Sequence, residues 1–276
     1  MSQEFYDLSE RLLNSDDYCW GNLGYWQFKK DYSSACCALA DELAIAVQLG
    51  PLSHVFDVGF GCGDQLLLWL KTYHVNTVQG INYSVSQTEL AIKRLGGAGF
   101  TEVARQIQYG SIADMSEQKT VSSKPAINTV LALDCAYHFP SRTQFFAHSY
   151  QKLTAAGRIG LTDILLSDQP TSAWQYCVLR TMLSLSRIPA KNIVTLSCYK
   201  KELTEAGFEG IEIRDISEHV FLPFSEWLQE FKQGEGQLKS ASKLTWLKYD
   251  ITAKFLKWAF QNNILRYSVI SANKPS

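Results

Sequence analysis

Residues 55–70, VFDVGFGCGDQLLLWL, place glycine at every second position, Gly59, Gly61 and Gly63, between an apolar run and a leucine-rich one. HVFDVG reads as a buried strand and QLLLWLKTY as a helix hidden on most faces. Alternating glycines between them predict backbone passing very close to another group, since only glycine has no Cβ to collide. The expected group is a ligand at the carboxyl end of the strand, near the first turn of the helix. A second cluster lies in LALDCAYHFPSRTQFF, where a fourth strand runs out into Asp134, Tyr137 and His138. Strand ends of a parallel sheet face the ligand crevice, so these three arrive beside the same ligand. Imidazole titrates close to working pH, which makes His138 the candidate proton acceptor. Its competing role is a structural anchor before Pro140, and Asp134 either orients the histidine or closes the loop.

The elements that must position these groups follow from periodicity. YSSACCALADELAIAVQLG has helical spacing and stops at Gly50-Pro51, so residues 1–50 read as a helical segment. Strands are expected near 54–59, 77–82, 105–109, 127–134 and 158–164, and helices near 64–73, 86–96 and 142–154. This alternation predicts an α/β fold with a parallel sheet covered on both faces. Residues 165–197 break the rhythm as an insert rich in Trp, Tyr, Leu and Arg. After it come a helix, a stop at Gly207, a sixth strand, the tail helix SKLTWLKYDITAKFLKWAFQNN and the strand ILRYSVISANKP. The sheet thus becomes seven-stranded and mostly parallel, with an antiparallel hairpin at its end. The division expected is an N-terminal helical lid, 1–50, and a binding domain, 51–276, carrying the insert as a cover.

The loop does not suit a dinucleotide. That fingerprint is G-x-G-x-x-G, and here the third glycine falls one position early, with Asp64 in the last slot and no phosphate-loop lysine. The form D-x-G-x-G-x-G, with Asp57 two residues before Gly59, resembles the first motif of class I S-adenosylmethionine-dependent methyltransferases. The resemblance covers roughly residues 18–272. It implies a Rossmann-like fold and S-adenosylmethionine as cofactor, with Asp57 and the Gly59–Gly63 backbone holding its amino acid end. VQGINYSVSQTELAIKR resembles the branch of cyclopropane-fatty-acid synthases and of sugar and polyketide methyltransferases. That branch implies Gln87 at the ribose, beside Asn82. Ser84 and Gln87 also spell a helix capping box, and both roles can hold together. Gly110-Ser111-Ile112 stands where relatives carry G-D-A against adenine, which implies contact through Ser111 and Ile112; a plain turn is the alternative for Ser111. The branch implies a base at His138. Its cyclopropane synthases carry glutamate where this chain has Tyr137, which argues against alkene methylation.

Trp20, Tyr25 and Trp26 in YCWGNLGYWQF read either as core or as a lid, with Trp20 and Tyr25 shielding the sulfonium and Trp26 facing the acceptor. In the insert, Trp174, Tyr176, Leu179, Met182 and Leu183 read as an apolar acceptor site or as cover for the sheet. The acceptor is expected to be a small or medium hydrophobic metabolite, methylated on O, N or C; a binding protein without methyl transfer is the rival. No closely spaced ligand cluster suggests a metal.

Composition narrows the classes further. With 276 residues, 46% hydrophobic and 19% charged, the chain can bury a substantial core. A net charge of -1 disfavours nucleic acid. No run reaches the ~18 apolar residues of a membrane span, and the amino terminus does not read as a secretory signal. Seven cysteines without a CxxC pair read as reduced thiols in a cytoplasmic protein. The basic amphipathic tail, with Trp246, Phe255 and Trp258 against Lys248, Lys254 and Lys257, is expected to pack on the domain rather than lie on a membrane. Oligomeric state is not legible.

Overall fold

A computed structural model describes residues 12–15, 17–115, 126–169, 171–234 and 243–276. Residues 1–11 and 16 of the expected N-terminal segment, residue 170 of the insert and residue 242 of the expected tail helix lie outside the described residues.

Five strands form the parallel part of one sheet: β1 (His54–Val58), β2 (Thr77–Asn82), β3 (Ile107–Tyr109), β4 (Thr129–Ala132) and β5 (Arg158–Leu166). Two more, β6 (Glu209–Asp215) and β7 (Leu265–Asn273), complete the order β3-β2-β1-β4-β5-β7-β6. β7 is antiparallel to both β5 and β6. The expected seven-stranded, mostly parallel sheet with antiparallel carboxyl-terminal strands is therefore observed. β6 and β7 are joined through two helices, α8 (Phe221–Gln233) and α9 (Lys243–Gln261), so β7 slots between β5 and β6. The order reverses between β1 and β4, the switch point where a crevice opens outside the strand ends.

The remaining helices are α1 (Tyr32–Ala46), α2 (Asp64–Lys71), α3 (Val85–Gly97), α4 (Thr101–Ala104), α5 (Arg142–Lys152), α6 (Ala173–Leu185) and α7 (Leu196–Glu205). Successive strand residues point to opposite faces, and the core divides accordingly. Val55, Leu131 and Tyr267 join Leu39, Trp69 and Phe221 on one side. Phe56, Val130 and Ile270 join Phe145, Phe146 and Tyr199 on the other.

Among the described residues of the N-terminal segment, the α-helix is Tyr32–Ala46, and residues 17–31, expected to be helical, run mainly as a loop, with Tyr25 N–H bound to Ala35 O and Trp26 N–H to His219 O. Among the described residues, no helix is long and apolar enough to cross a membrane.

Candidate active site

The glycine loop turns β1 into α2 directly over the switch point. Gly61 has φ 54°, and a Cβ built there would meet nothing within 4 Å, because that side of the residue is the open cavity. Gly63 starts α2 at φ 89°, where a Cβ would press on Ala91 Cβ at 3.0 Å and so hold α2 off α3. Asp57 lies beneath this loop and does not line the cavity. Its carboxylate accepts from Gln65 Nε2 at 2.8 Å and from Trp69 Nε1 at 2.7 Å, donors one turn apart on α2. Full burial pushes the Asp57 carboxyl up to about 7, with the Trp69 and Gln65 bonds pulling the other way.

That burial gives a pH-dependent prediction. The Asp57 pKa is above its ordinary 3.8, so the folded state favours the protonated form, and its contribution to stability declines as pH rises from about 4 through about 7. Trp69→Phe removes one donor to the charged form and raises that pKa further. Denaturant melts should show a loss of roughly 2–3 kcal/mol from the lost bond and ring volume together. The loss should be larger at pH 8 than at pH 6; an equal loss at both would show that the Trp69–Asp57 bond contributes little.

The ends of β2 and β3 supply the next wall. Asn82 Oδ1 accepts from Gly61 N–H at 3.3 Å, and its Nδ2 donates to Gln87 Oε1 at 3.3 Å. Ser84 caps α3 by accepting from Gln87 N–H at 3.2 Å, so the cap fixes a residue that lines the cavity. Ser111 donates its hydroxyl to Asp114 Oδ2 at 2.9 Å, which leaves its oxygen free to accept. Ile112 is buried beside it, with its carbonyl 2.9 Å from His148 Nδ1. Asn82, Gln87, Ser111 and Ile112 all line the cavity.

Residues 19–22 close the cavity from the N-terminal side. Asp64 holds them down: it accepts from Cys19 N–H at 3.2 Å and pairs bidentately with Arg94 at 2.5 and 2.6 Å. Cys19 and Cys62 bring their sulfurs to 3.0 Å across this seam. Trp20 is 5% exposed and lines the cavity, and its buried indole N–H has no hydrogen-bond partner among the described residues. Tyr25 and Trp26 stand elsewhere. Tyr25 donates to Gln27 Oε1 at 2.7 Å and meets His219 edge-on, while Trp26 packs among Tyr32, Phe224 and Trp227. Both are core side chains, because the loop turns them toward α8.

β4 ends in a strained turn. Asp134 has φ 52°, costly for a non-glycine residue, and the bonds around it compensate. Its carboxylate accepts from Leu23 N–H at 2.7 Å, from Tyr137 OH at 2.8 Å and from Tyr267 OH on β7. Burial raises its pKa to about 7 against these donors. Asp134 therefore joins the N-terminal segment, the β4 turn and β7, and Tyr137 is occupied with it. His138 completes the 3-10 turn Ala136–His138 and lines the cavity, half-buried. Burial lowers its pKa to about 4, opposed by a hydrogen bond with the Arg187 backbone, so the ring is neutral at working pH. The carbonyls on either side of it, of Tyr137 and Phe139, both accept from Asn192 Nδ2, at 3.1 and 2.6 Å.

The enclosed space is about 410 Å3, within the roughly 300–1,000 Å3 of small-molecule sites. The model of the mycolic acid cyclopropane synthetase family matches residues 1–268. The chain belongs to this family. It is an S-adenosylmethionine-dependent methyltransferase with the class I fold.

Similarity to characterised proteins runs the same way. The methyltransferase is 30% identical over 231 residues to erythromycin 3''-O-methyltransferase of Saccharopolyspora erythraea, covering 81% of this chain and 72% of the relative. It is 26% identical to 27-O-demethylrifamycin SV methyltransferase of Amycolatopsis mediterranei, covering 98% of this chain and 95% of the relative. Among solved structures, geranyl diphosphate C-methyltransferase of Streptomyces coelicolor superposes with a TM-score of 0.71 at 15% identity, covering 97% of this chain and 96% of that one.

The open cradle over Gly61, which a Cβ would fill, fits the methyltransferase to its cofactor. The insert is placed differently from the expectation. None of Trp174, Tyr176, Leu179, Met182 and Leu183 lines the cavity. α6 buries Leu179 and Leu183 one turn apart and turns Trp174 and Tyr176 outward, 59% and 51% exposed. Met182 is half-buried, and Trp174 rests on Trp258 of α9 with ring centroids 5.7 Å apart. The insert reaches the cavity through Arg187. Among the described residues, no three His, Cys, Asp or Glu side chains gather as a metal site.

The lining residues that sequence reasoning missed include Cys19, Asn22, Cys62, Asp64, Phe139 and Arg187. Cys62 and Asp64 sit inside the glycine motif, so proximity to it was an available signal. Arg187 carried none.

Proposed function

We propose that this methyltransferase transfers a methyl group to a hydroxyl oxygen of a small or medium apolar metabolite, with His138 as general base. The carrying observation is an imidazole on the cavity wall, just past the end of β4, beside apolar Leu133 and Phe139. An alcohol must shed its proton as the new bond forms, and a neutral imidazole can take it. The bound cofactor supplies an activated methyl on a sulfonium. Trp20, the Gly59, Gly61 and Gly63 backbone, Asn82, Gln87, Ser111 and Ile112 would hold it. Residues 19–22 exclude water from above, acting as part of an N-terminal lid over the binding domain. Oxygen as acceptor atom is supported by the activities for which two relatives are named, erythromycin 3''-O- and 27-O-demethylrifamycin methylation. Tyr137, standing where the cyclopropane synthases carry glutamate, and its engagement with Asp134 argue against alkene chemistry.

The test is incubation with S-adenosylmethionine labelled in its methyl group and a panel of apolar polyols, amines and alkenes. Label should appear as an O-methyl ether by NMR. Exclusive transfer to nitrogen or carbon would refute the assignment of the acceptor atom.

A further inference from the structure

We propose that Asn192 is a positioning residue for methyl transfer: its side-chain amide grips the backbone on both sides of His138 and holds the imidazole against the cavity. This rests on the assignment of His138 as base. Asn192 belongs to the cover insert, in the 3-10 turn Ala190–Asn192, and is 2% exposed. The two N–H bonds of its amide match the two carbonyls, of Tyr137 and Phe139, that bracket His138. Its Oδ1 accepts from Arg142 N–H at 3.4 Å, so the whole amide is engaged.

The clamp stands on a rigid floor. Arg142 donates to the Asn192 carbonyl, pairs with Asp163 at 3.3 Å and Glu202 at 3.1 Å, and lies over the Tyr199 ring at 4.2 Å. Arg142, Asp163 and Tyr199 are fully buried, which anchors Asn192 to β5, α5 and α7 although its neighbours on α6 are largely exposed.

The 3-10 turn has its own closing bonds, His138 N–H to Cys135 O and Phe139 N–H to Ala136 O. Those bonds shape the turn but do not fix how it is tilted against the sheet. Asp134 ties the near side of the turn to β5 and β7 and the imidazole bonds the Arg187 backbone; the Asn192 amide, binding both flanking carbonyls, holds the far side from the insert. Misplacing a reacting group by about 1 Å can cost ~10²-fold in rate without altering ligand affinity.

The experiment uses the full chain as parent, Asn192→Ala, the near-isosteric Asn192→Asp, His138→Ala and the double variant His138→Ala/Asn192→Ala. Each is assayed with an acceptor identified from the panel, and S-adenosylhomocysteine binding is measured by calorimetry. Far-UV circular dichroism confirms that each variant is folded. Both Asn192 variants should lower kcat roughly 10–100-fold while acceptor KM and S-adenosylhomocysteine affinity stay near parental. In the His138→Ala background, the Asn192→Ala change should cost nothing further. Parental kcat in both Asn192 variants, with His138→Ala impaired, would overturn the positioning role and leave the base assignment standing. An equal kcat loss with and without His138 would also overturn it, because the effect would then not pass through the imidazole. A His138→Ala enzyme of parental turnover would remove the base assignment and the positioning role together.

Discussion

Gly61→Val should bind neither S-adenosylmethionine nor S-adenosylhomocysteine at concentrations that saturate the parent. Gly61 faces the cavity at φ 54°, and nothing lies within 4 Å of where its Cβ would stand. A Cβ there meets no protein atom, so valine's branched side chain starts out into the space the cofactor needs. The backbone conformation adds a strain of about 1–2 kcal/mol for a non-glycine residue. The fold should therefore survive with a modestly lower melting temperature while calorimetry records no binding, a loss of at least ~100-fold in affinity. Gly61→Ala separates the two effects: it carries the strain with a smaller intrusion and should keep weak binding. Binding by Gly61→Val within about threefold of the parent would mean that the cofactor lies away from this loop.

His138→Ala should lower turnover by roughly 10²–10⁴, the usual contribution of a positioned acid–base group. Cofactor affinity should stay near parental, since the walls formed by Trp20, Gly61, Asn82, Gln87 and Ser111 are untouched. The pH dependence carries a distinguishing sign. Burial lowers the His138 pKa from 6.5 to about 4, so the neutral, proton-accepting form is present above pH 4 and is lost below it. The parental kcat/KM should rise with pH through about 4 and be level near neutrality, rather than rise through the ordinary histidine range. That acid limb should vanish in the variant. A limb near pH 7 that persists in the variant belongs to Asp134, whose pKa is raised to about 7 and whose carboxylate holds Leu23, Tyr137 and Tyr267. Near-parental turnover by His138→Ala would show that alignment alone drives the transfer.

The parallel half of the sheet was legible because buried parallel strands are continuous apolar runs separated by helices of 3.6 periodicity. Gly59, Gly61, Asn82, Gln87, Ser111 and His138 were legible as cavity-lining residues because each lies at the end of a parallel strand or in the segment that follows it, and those segments line the cavity. Asp57 was harder. It belongs to the motif, yet Gln65 and Trp69, four apart on α2, both point back at it and occupy its carboxylate. That i, i+4 pair of donors was visible in the sequence and would have shown the carboxylate to be taken. α8 escaped notice although Phe221, Phe224 and Leu228 carry its buried face, with Pro223 tolerated in the first turn. The aromatic residues of the lid and the insert were the least legible. Composition says that Trp26 and Trp174 must meet something apolar. Only the path of the backbone decides that one turns into the core and the other out beside Trp258. Asn192 and Arg187 gave no local signal, because their partners lie about fifty residues away.

The place of β7 has a consequence for how the molecule is made. Residues 265–273 emerge from the ribosome after both strands between which they insert, β5 and β6. Until they arrive, the nine-residue edge of β5 lies open with its backbone groups unpaired, a template for association with other chains. Asp134 also waits for Tyr267, so the turn that carries His138 gains one of its holding bonds only when β7 has entered the sheet. Such late, long-range pairing slows folding. A nascent chain of this enzyme is thus exposed to aggregation until residues 265–273 have been made, and removing that strand would take the partner from β5 and Tyr267 from Asp134.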